Sequence, residues 1–226
     1  MNNEREIVLD TETTGLSPYQ GHKIVEIGAV EIINKIPTGN NFHYYINPCR
    51  DMPIEAYNIH GISEEFLQDK PKFNEIADDF LKFIGESRMV IHNAQFDIKF
   101  LNHELSLINK KTFQLQEQID TLLIARKMFP GTRVNLDSLC KRFKVDNSNR
   151  EYHGALKDSL LLAEVYIELS GGRQEKFSIR NDELELGNNI NKITKEKNLL
   201  NKNNRIIMKA TTEEMKLHND KYINTK

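Results

Sequence analysis

The stretch IVLDTETTGLSP, residues 7 to 18, sets Asp10 and Glu12 at the end of an apolar run that reads as a buried strand. Side chains at i and i+2 of a strand point to one side, so the two carboxylates stand together while Thr11 faces the other way. Like charges this close need a cation or a proton. On these two residues alone a second reading stays open, in which the strand frays at Asp10 and both acids are solvated turn residues. Asp97 in HNAQFD and Asp158 in HGALKDS each sit near the start of a helix, where an acid often only compensates the macrodipole. His153 leads into the last of these helices beside Gly154. An imidazole with a pKa near ~6.5 can take a proton from an attacking water at neutral pH. If one cleft gathers these four acids, an oxygen-rich set without cysteine suits Mg²⁺ or Mn²⁺. Two such ions about 3.5 to 4 Å apart would clamp a phosphodiester, and the implied reaction is its hydrolysis.

The elements that must position these residues follow from periodicity. IVLD and KIVEIGAVEII read as strands around the breaker-rich TTGLSPYQG, and NFHYYIN at 41 to 47 gives a third strand closed by Pro48, an antiparallel meander. Ile76, Phe80, Phe83 and Ile84 form one amphipathic helical stripe. The short strand MVIH follows, then Asn93 as a cap for a helix carrying Ile98, Leu101 and Leu105. Further helices are predicted at 119 to 128, 135 to 143 and 155 to 169, the last stopped by Gly171 and Gly172. Strands first and helices afterwards indicate an α/β or α+β domain over residues 1 to 172. Residues 187 to 204 hold seven asparagines and little periodicity, so 173 to 204 reads as a flexible linker. Residues 205 to 226 regain a short apolar run at Ile206, Ile207 and Met208 and read as a docking segment.

Composition narrows the class. The 226 residues are 38% hydrophobic, enough for one full core. No basic leader and no bilayer-length apolar run is present, and the two cysteines, Cys49 and Cys140, lie far apart in no metal-like spacing. The expectation is a soluble cytoplasmic protein without a membrane partner or a zinc site. Residues 1 to 172 carry 19 basic and 25 acidic residues, a formal net of −6, against +4 for the remainder. Tight autonomous binding to nucleic acid is not expected of so acidic a domain, since phosphate affinity rests on cationic contacts.

The segments DTETTG (10 to 15), HNAQFD (92 to 97) and HGALKDS (153 to 159) resemble the three motifs of the DEDDh exonucleases, among them the proofreading exonucleases of bacterial replication. The likeness extends through GHKIVEIGAVEI, GNNFHYYINP, IHGIS and ARKMFPG, over residues 5 to 172. It implies an RNase H-like fold with a five-stranded mixed sheet flanked by helices, and 3′ to 5′ removal of deoxynucleoside monophosphates with two divalent metal ions. Asp10, Glu12, Asp97 and Asp158 would be the metal ligands and His153 the general base. Glu12, Thr13, His60 and Phe96 would hold the substrate, with His92 and Asn93 as polar support and Asp120 as a helix cap or outer support. The partners implied are a DNA 3′ end, the alpha subunit of the replicative DNA polymerase III through the C-terminal tail, a small theta-like subunit, and a sliding clamp through Gln174, Phe177 and Ile179. A related exoribonuclease that trims RNA is the alternative with the same chemistry. A non-catalytic scaffold of a polymerase assembly is the alternative without it.

Overall fold

A computed structural model describes residues 4–148 and 152–171. The chain divides into two units, Met1–Glu175 and Lys176–Lys226, and every described residue belongs to the first. The expected boundary at 172, the linker, the docking segment and the clamp residues Gln174, Phe177 and Ile179 lie outside the described residues.

Strands β1 (Arg5–Thr13), β2 (Ile24–Ile33) and β3 (Ile36–Tyr45) form the antiparallel meander. On the other side of β1, β4 (Arg88–Ile91) and β5 (Ile119–Asp120) add in parallel, giving the order β3-β2-β1-β4-β5. Helices α1 (Ile54–His60), α2 (Glu64–Leu67) and α3 (Phe73–Ile84) lead from β3 to β4, and α4 (Ala94–Leu107) crosses from β4 to β5. Three more, α5 (Thr121–Met128), α6 (Leu136–Phe143) and α7 (Ala155–Leu169), complete the described residues.

Both faces of β1 are covered, which is why its apolar run is continuous rather than alternating. Ile7 and Leu9 pack with Phe80 of α3 and Phe100, Leu101 and Leu105 of α4. Val8 faces the opposite way, toward Leu162, Ala163 and Tyr166 of α7. Period-two alternation therefore puts Asp10 and Glu12 on the α7 face and Thr11 on the α4 face. Helices α5 and α6 build a second core against α7 through Ala125, Leu139, Cys140 and Val165.

The structure decides one reading left open and corrects three expectations. First, β1 does not fray at Asp10: Asp10 pairs with Gly28 and Glu12 with Glu26 before a register shift at Thr13. Second, β3 begins at Ile36, not at 41, because Asn34 and Lys35 both take left-handed dihedrals (φ 50° and 62°) and close a two-residue hairpin. Its first half is exposed and polar, with Pro37 tolerated on an edge strand, so it gave no apolar signal. Third, the helix expected from 119 starts at Thr121, since Ile119 and Asp120 pair with β4. Fourth, Asn93 makes no side-chain cap on α4; its φ of 75° turns the chain instead.

Candidate active site

The C-terminal end of β1 delivers Glu12 to the N-terminal end of α7. Ligand atoms of Glu12, His153 and Asp158 all lie within 4.8 Å of one another. Glu12 and Asp158 are buried, whereas the His153 side chain is 48% exposed, with Nδ1 3.3 Å from Asp158 Oδ2. The His153 N–H donates to the Ile59 carbonyl at 3.2 Å, so its backbone is tied to α1 as well as to α7.

Among the described residues neither Asp97, on the opposite face of the sheet, nor Asp10 belongs to that 4.8 Å group, although the charge of Asp97 acts on Asp10. The Thr11 hydroxyl donates to Asp97 Oδ1 at 2.6 Å, and both side chains are buried. Burial pushes the Asp97 carboxyl up to about 7, with the Thr11 hydrogen bond working against the rise. Asp10 is pushed well above the ordinary carboxylate value, first by desolvation and then by the charges of Asp97, Glu12, Asp158 and Glu26. Asp10 thus stands in the field of four other carboxylates, an arrangement that attracts a cation.

Close packing sets α7 against β2. A Cβ on Gly28 would stand 2.1 Å from the Leu156 nitrogen and 2.2 Å from the Ala155 carbonyl carbon, so only glycine admits the helix at this distance. The Ser159 hydroxyl donates to the Gly28 carbonyl at 2.7 Å and pins the first turn. Sequence reading missed both contacts, along with Thr11 as the support of Asp97. It also missed Glu26, a buried carboxylate opposite Glu12 on β2. The available signal was the glycine inside the β-branched run IVEIGAVEII, since a strand glycine marks a close backbone approach.

Beside the carboxylates opens a cavity of about 450 Å³ lined by Glu12, Thr13, Ala56, Ile59, His60 and Phe96, among others. It brings together all the residues expected to touch substrate. His60 is buried, its Nδ1 accepting the Ile62 N–H at 3.0 Å, and burial lowers its pKa. The neutral ring would therefore carry its proton on Nε2. Phe96 is partly buried, with its ring 5.0 Å from that of Phe100. At the rim, Thr13 donates to the Gly15 carbonyl at 2.7 Å, and Gly15 itself has φ of 155° with the His22 ring where a Cβ would stand.

Polar support lies behind Asp97. The Asp120 carboxylate accepts the N–H groups of Asn93 and Ala94 at 3.2 and 3.1 Å while capping α5 through Leu122 and Leu123. One side chain thus anchors the starts of two helices. His92 Nδ1 lies 3.0 Å from the Thr121 hydroxyl.

The donors gathered here are carboxylate oxygens and one imidazole, with Cys49 exposed elsewhere and Cys140 in the core. That set fits a divalent cation held mainly by oxygen ligands, with no thiolate at hand for a soft metal.

Residues 7–166 match the exonuclease family model of the RNase T type. The DNA polymerase III subunit epsilon of Rickettsia felis is 59% identical over 223 residues, 97% of this chain and 96% of the relative. Its counterpart from Escherichia coli K12 is 53% identical over 176 residues, 75% of this chain and 72% of that protein. Among solved structures, exonuclease X in complex with 5′ overhanging duplex DNA matches at TM-score 0.60 and 27% identity, over 74% of this chain and 92% of its own. The nuclease domain of 3′hExo, a DEDDh family member bound to rAMP, shares the fold at TM-score 0.63 and 16% identity, over 75% and 93% of the two chains.

Proposed function

The chain belongs to the exonuclease family, and on that premise we propose that it is the 3′ to 5′ proofreading exonuclease subunit of a bacterial DNA polymerase III, with Asp10, Glu12, Asp97, Asp158 and His153 as its reaction centre. The observation that carries the reading is the convergence of Glu12, His153 and Asp158 within 4.8 Å, with Glu12 also lining a cavity large enough for a nucleoside. The substrate is the 3′ terminus of a DNA primer.

The carboxylates of Asp10, Glu12, Asp97 and Asp158 would hold two divalent ions, Mg²⁺ or Mn²⁺. When bound, these supply the positive charge that a phosphodiester needs as negative charge builds on its oxygens. The chain's own residues do the rest. Phe96 and the walls at Ala56 and Ile59 present an apolar surface to the terminal base, while Thr13 and His60 offer polar groups to the sugar and backbone. Asp158 beside Nδ1 of His153 favours the tautomer protonated there, which makes Nε2 the basic nitrogen. His153 Nε2 takes the proton of the water whose oxygen attacks phosphorus. The P–O3′ bond breaks, the leaving O3′ takes a proton from solvent to become the new 3′ hydroxyl of the shortened primer, and a deoxynucleoside 5′-monophosphate departs.

The formal charge of −6 over residues 1 to 172 supports delivery of the primer end by a partner rather than autonomous capture. The polymerase alpha subunit is that partner in this reading, bound through residues 205 to 226 on a linker over 173 to 204. A tether of this kind would hold the nuclease near the primer at about millimolar effective concentration. The alignment with the Rickettsia relative runs over 223 residues and so includes most of this tail. A theta-like subunit and the sliding clamp, the latter through Gln174, Phe177 and Ile179, complete the assembly, and a replication subunit of this kind works in the cytoplasm.

The test is competition between matched DNA and RNA oligonucleotides labelled at the 3′ end, in Mg²⁺. Release of labelled deoxynucleotide, faster from a mismatched terminus, is expected. Preferential hydrolysis of RNA would move the assignment to an exoribonuclease, and no hydrolysis of either would leave a scaffold.

A further inference from the structure

Glu26 stands opposite Glu12 on the neighbouring strand, so both side chains emerge on the face that meets α7. It is 2% exposed and belongs neither to the proposed ligand set nor to the lining of the cavity. Its two oxygens are both engaged. Oε2 accepts the Ala155 N–H at 3.1 Å in a buried contact, and Oε1 lies 2.7 Å from Nε2 of His43 on β3.

Ala155 is the first residue of α7, where backbone N–H groups have no partner within the helix. The preceding residue, Gly154, has no side chain with which to cap it. A capping oxygen must come from elsewhere, because Ala155 is fully buried and its N–H cannot turn to water. Glu26 supplies that oxygen from the sheet. The anchored N–H lies two residues after His153 and three before Asp158, so one hydrogen bond fixes the backbone between both. Gly28 sets how closely α7 approaches β2, and Glu26 sets where along β2 the helix begins.

We propose that Glu26, braced by His43, is a positioning residue that caps α7 from the sheet and thereby places His153 and Asp158 against Glu12. The proposal rests on the exonuclease reading for its kinetic consequence, though not for its geometry. Glutamine keeps a carbonyl oxygen for Ala155 and an amide for His43. Methionine fills the same volume with no acceptor. Placement, rather than charge, is therefore the property that separates the two variants.

The experiment compares wild type, Glu26→Met and Glu26→Gln in the full chain by steady-state kinetics on a 3′-labelled oligonucleotide and by calorimetric titration with Mn²⁺. For Glu26→Met, kcat is expected to fall roughly 100-fold, the effect of misplacing reacting groups by about 1 Å, while KM stays near the wild-type value. Affinity for Mn²⁺ should weaken about tenfold or more, as when outer supports of metal ligands are removed. Glu26→Gln should retain kcat within about fivefold. His43→Leu, which removes only the brace, should fall between them. Wild-type kcat and Mn²⁺ affinity in Glu26→Met would overturn the proposal, and so would a Glu26→Gln variant as impaired as Glu26→Met. If Glu26→Met does not fold, amide hydrogen exchange on wild type and Glu26→Gln decides. A protected Ala155 amide in both is expected, and exchange as fast as in exposed loops overturns the cap. Absence of nuclease activity in wild type would instead defeat the exonuclease reading, leaving the Mn²⁺ and exchange measurements to judge Glu26.

Discussion

Thr11 and Asp97 meet between β1 and α4, the strand hydroxyl donating to the helix carboxylate at 2.6 Å on the face opposite Asp10 and Glu12. The one residue of the DTET segment that points away from the acids beside it is thus the one that holds the third acid in place. Neither its spacing nor its type announces that role in the sequence.

Replacing Thr11 with valine keeps the β-branched shape and removes the donor. A hydrogen bond to a charged group contributes about 1.5 to 3 kcal/mol. This bond lowers the Asp97 pKa, so its loss raises it further. The acid limb of the pH–rate profile should move up by about one pH unit in Thr11→Val. An unshifted limb would remove Thr11 from the account.

Stability of the metal-free protein should depend on pH through the same acids. Asp97 rises from 3.8 to about 7 on folding and Asp10 also rises, so the folded state binds these protons more tightly than the unfolded chain. Their contribution to stability is complete below the unfolded value near 3.8 and is lost as pH climbs through about 7. In EDTA, the melting temperature of Asp97→Asn relative to wild type should therefore increase from pH 5 to pH 8. Added Mg²⁺ or Mn²⁺ should raise the wild-type value more at pH 8 than at pH 5. Scanning fluorimetry across that range checks both signs, and a metal shift independent of pH would contradict them.

Gly28→Ala drives a methyl into the backbone of Ala155 and Leu156. Overpacking of this kind costs about 1 to 3 kcal/mol. Because the displaced segment carries His153 and Asp158, kcat should fall together with the melting temperature. An alanine variant that melts lower with full kcat would show that α7 shifts without disturbing the site.

Phe96 lines the cavity and also packs at the edge of the main core. Stacking on a base is worth about 1 to 3 kcal/mol, so Phe96→Ala should raise KM for an oligonucleotide by roughly five- to a hundredfold with a smaller change in kcat. A lowered melting temperature with unchanged KM would assign the ring to packing alone.

Strand and helix periodicities align Asp10 with Glu12 and put Asp97 and Asp158 at helix starts, but only the resemblance to the DEDDh exonucleases joins the four acids into one candidate ligand set. The helix over 155 to 169 was legible from periodicity, as a long apolar stripe ended by glycine. What stayed hidden depends on contacts between segments far apart in the chain. Glu26 is separated from Ala155 by 129 residues and Thr11 from Asp97 by 86, and no local pattern encodes such pairings. Asn93 resembled a cap because asparagine often is one, yet Asp120, 26 residues beyond Ala94, takes over the bond. The early start of β3 was concealed by exposed polar residues on a sheet edge.

The central claim is that Asp158 and His153 act in one centre with Glu12 to hydrolyse the terminal phosphodiester. The direct measurement is the single-turnover rate of nucleotide release from a 3′-labelled DNA oligonucleotide in Mg²⁺, for wild type, Asp158→Ala, His153→Ala and the double variant. Each single variant should lose about 100-fold or more, and the double variant should lose far less than the product of the two, because the residues work as a unit. Retention of full rate in Asp158→Ala, or release from wild type that persists in EDTA, would contradict the account.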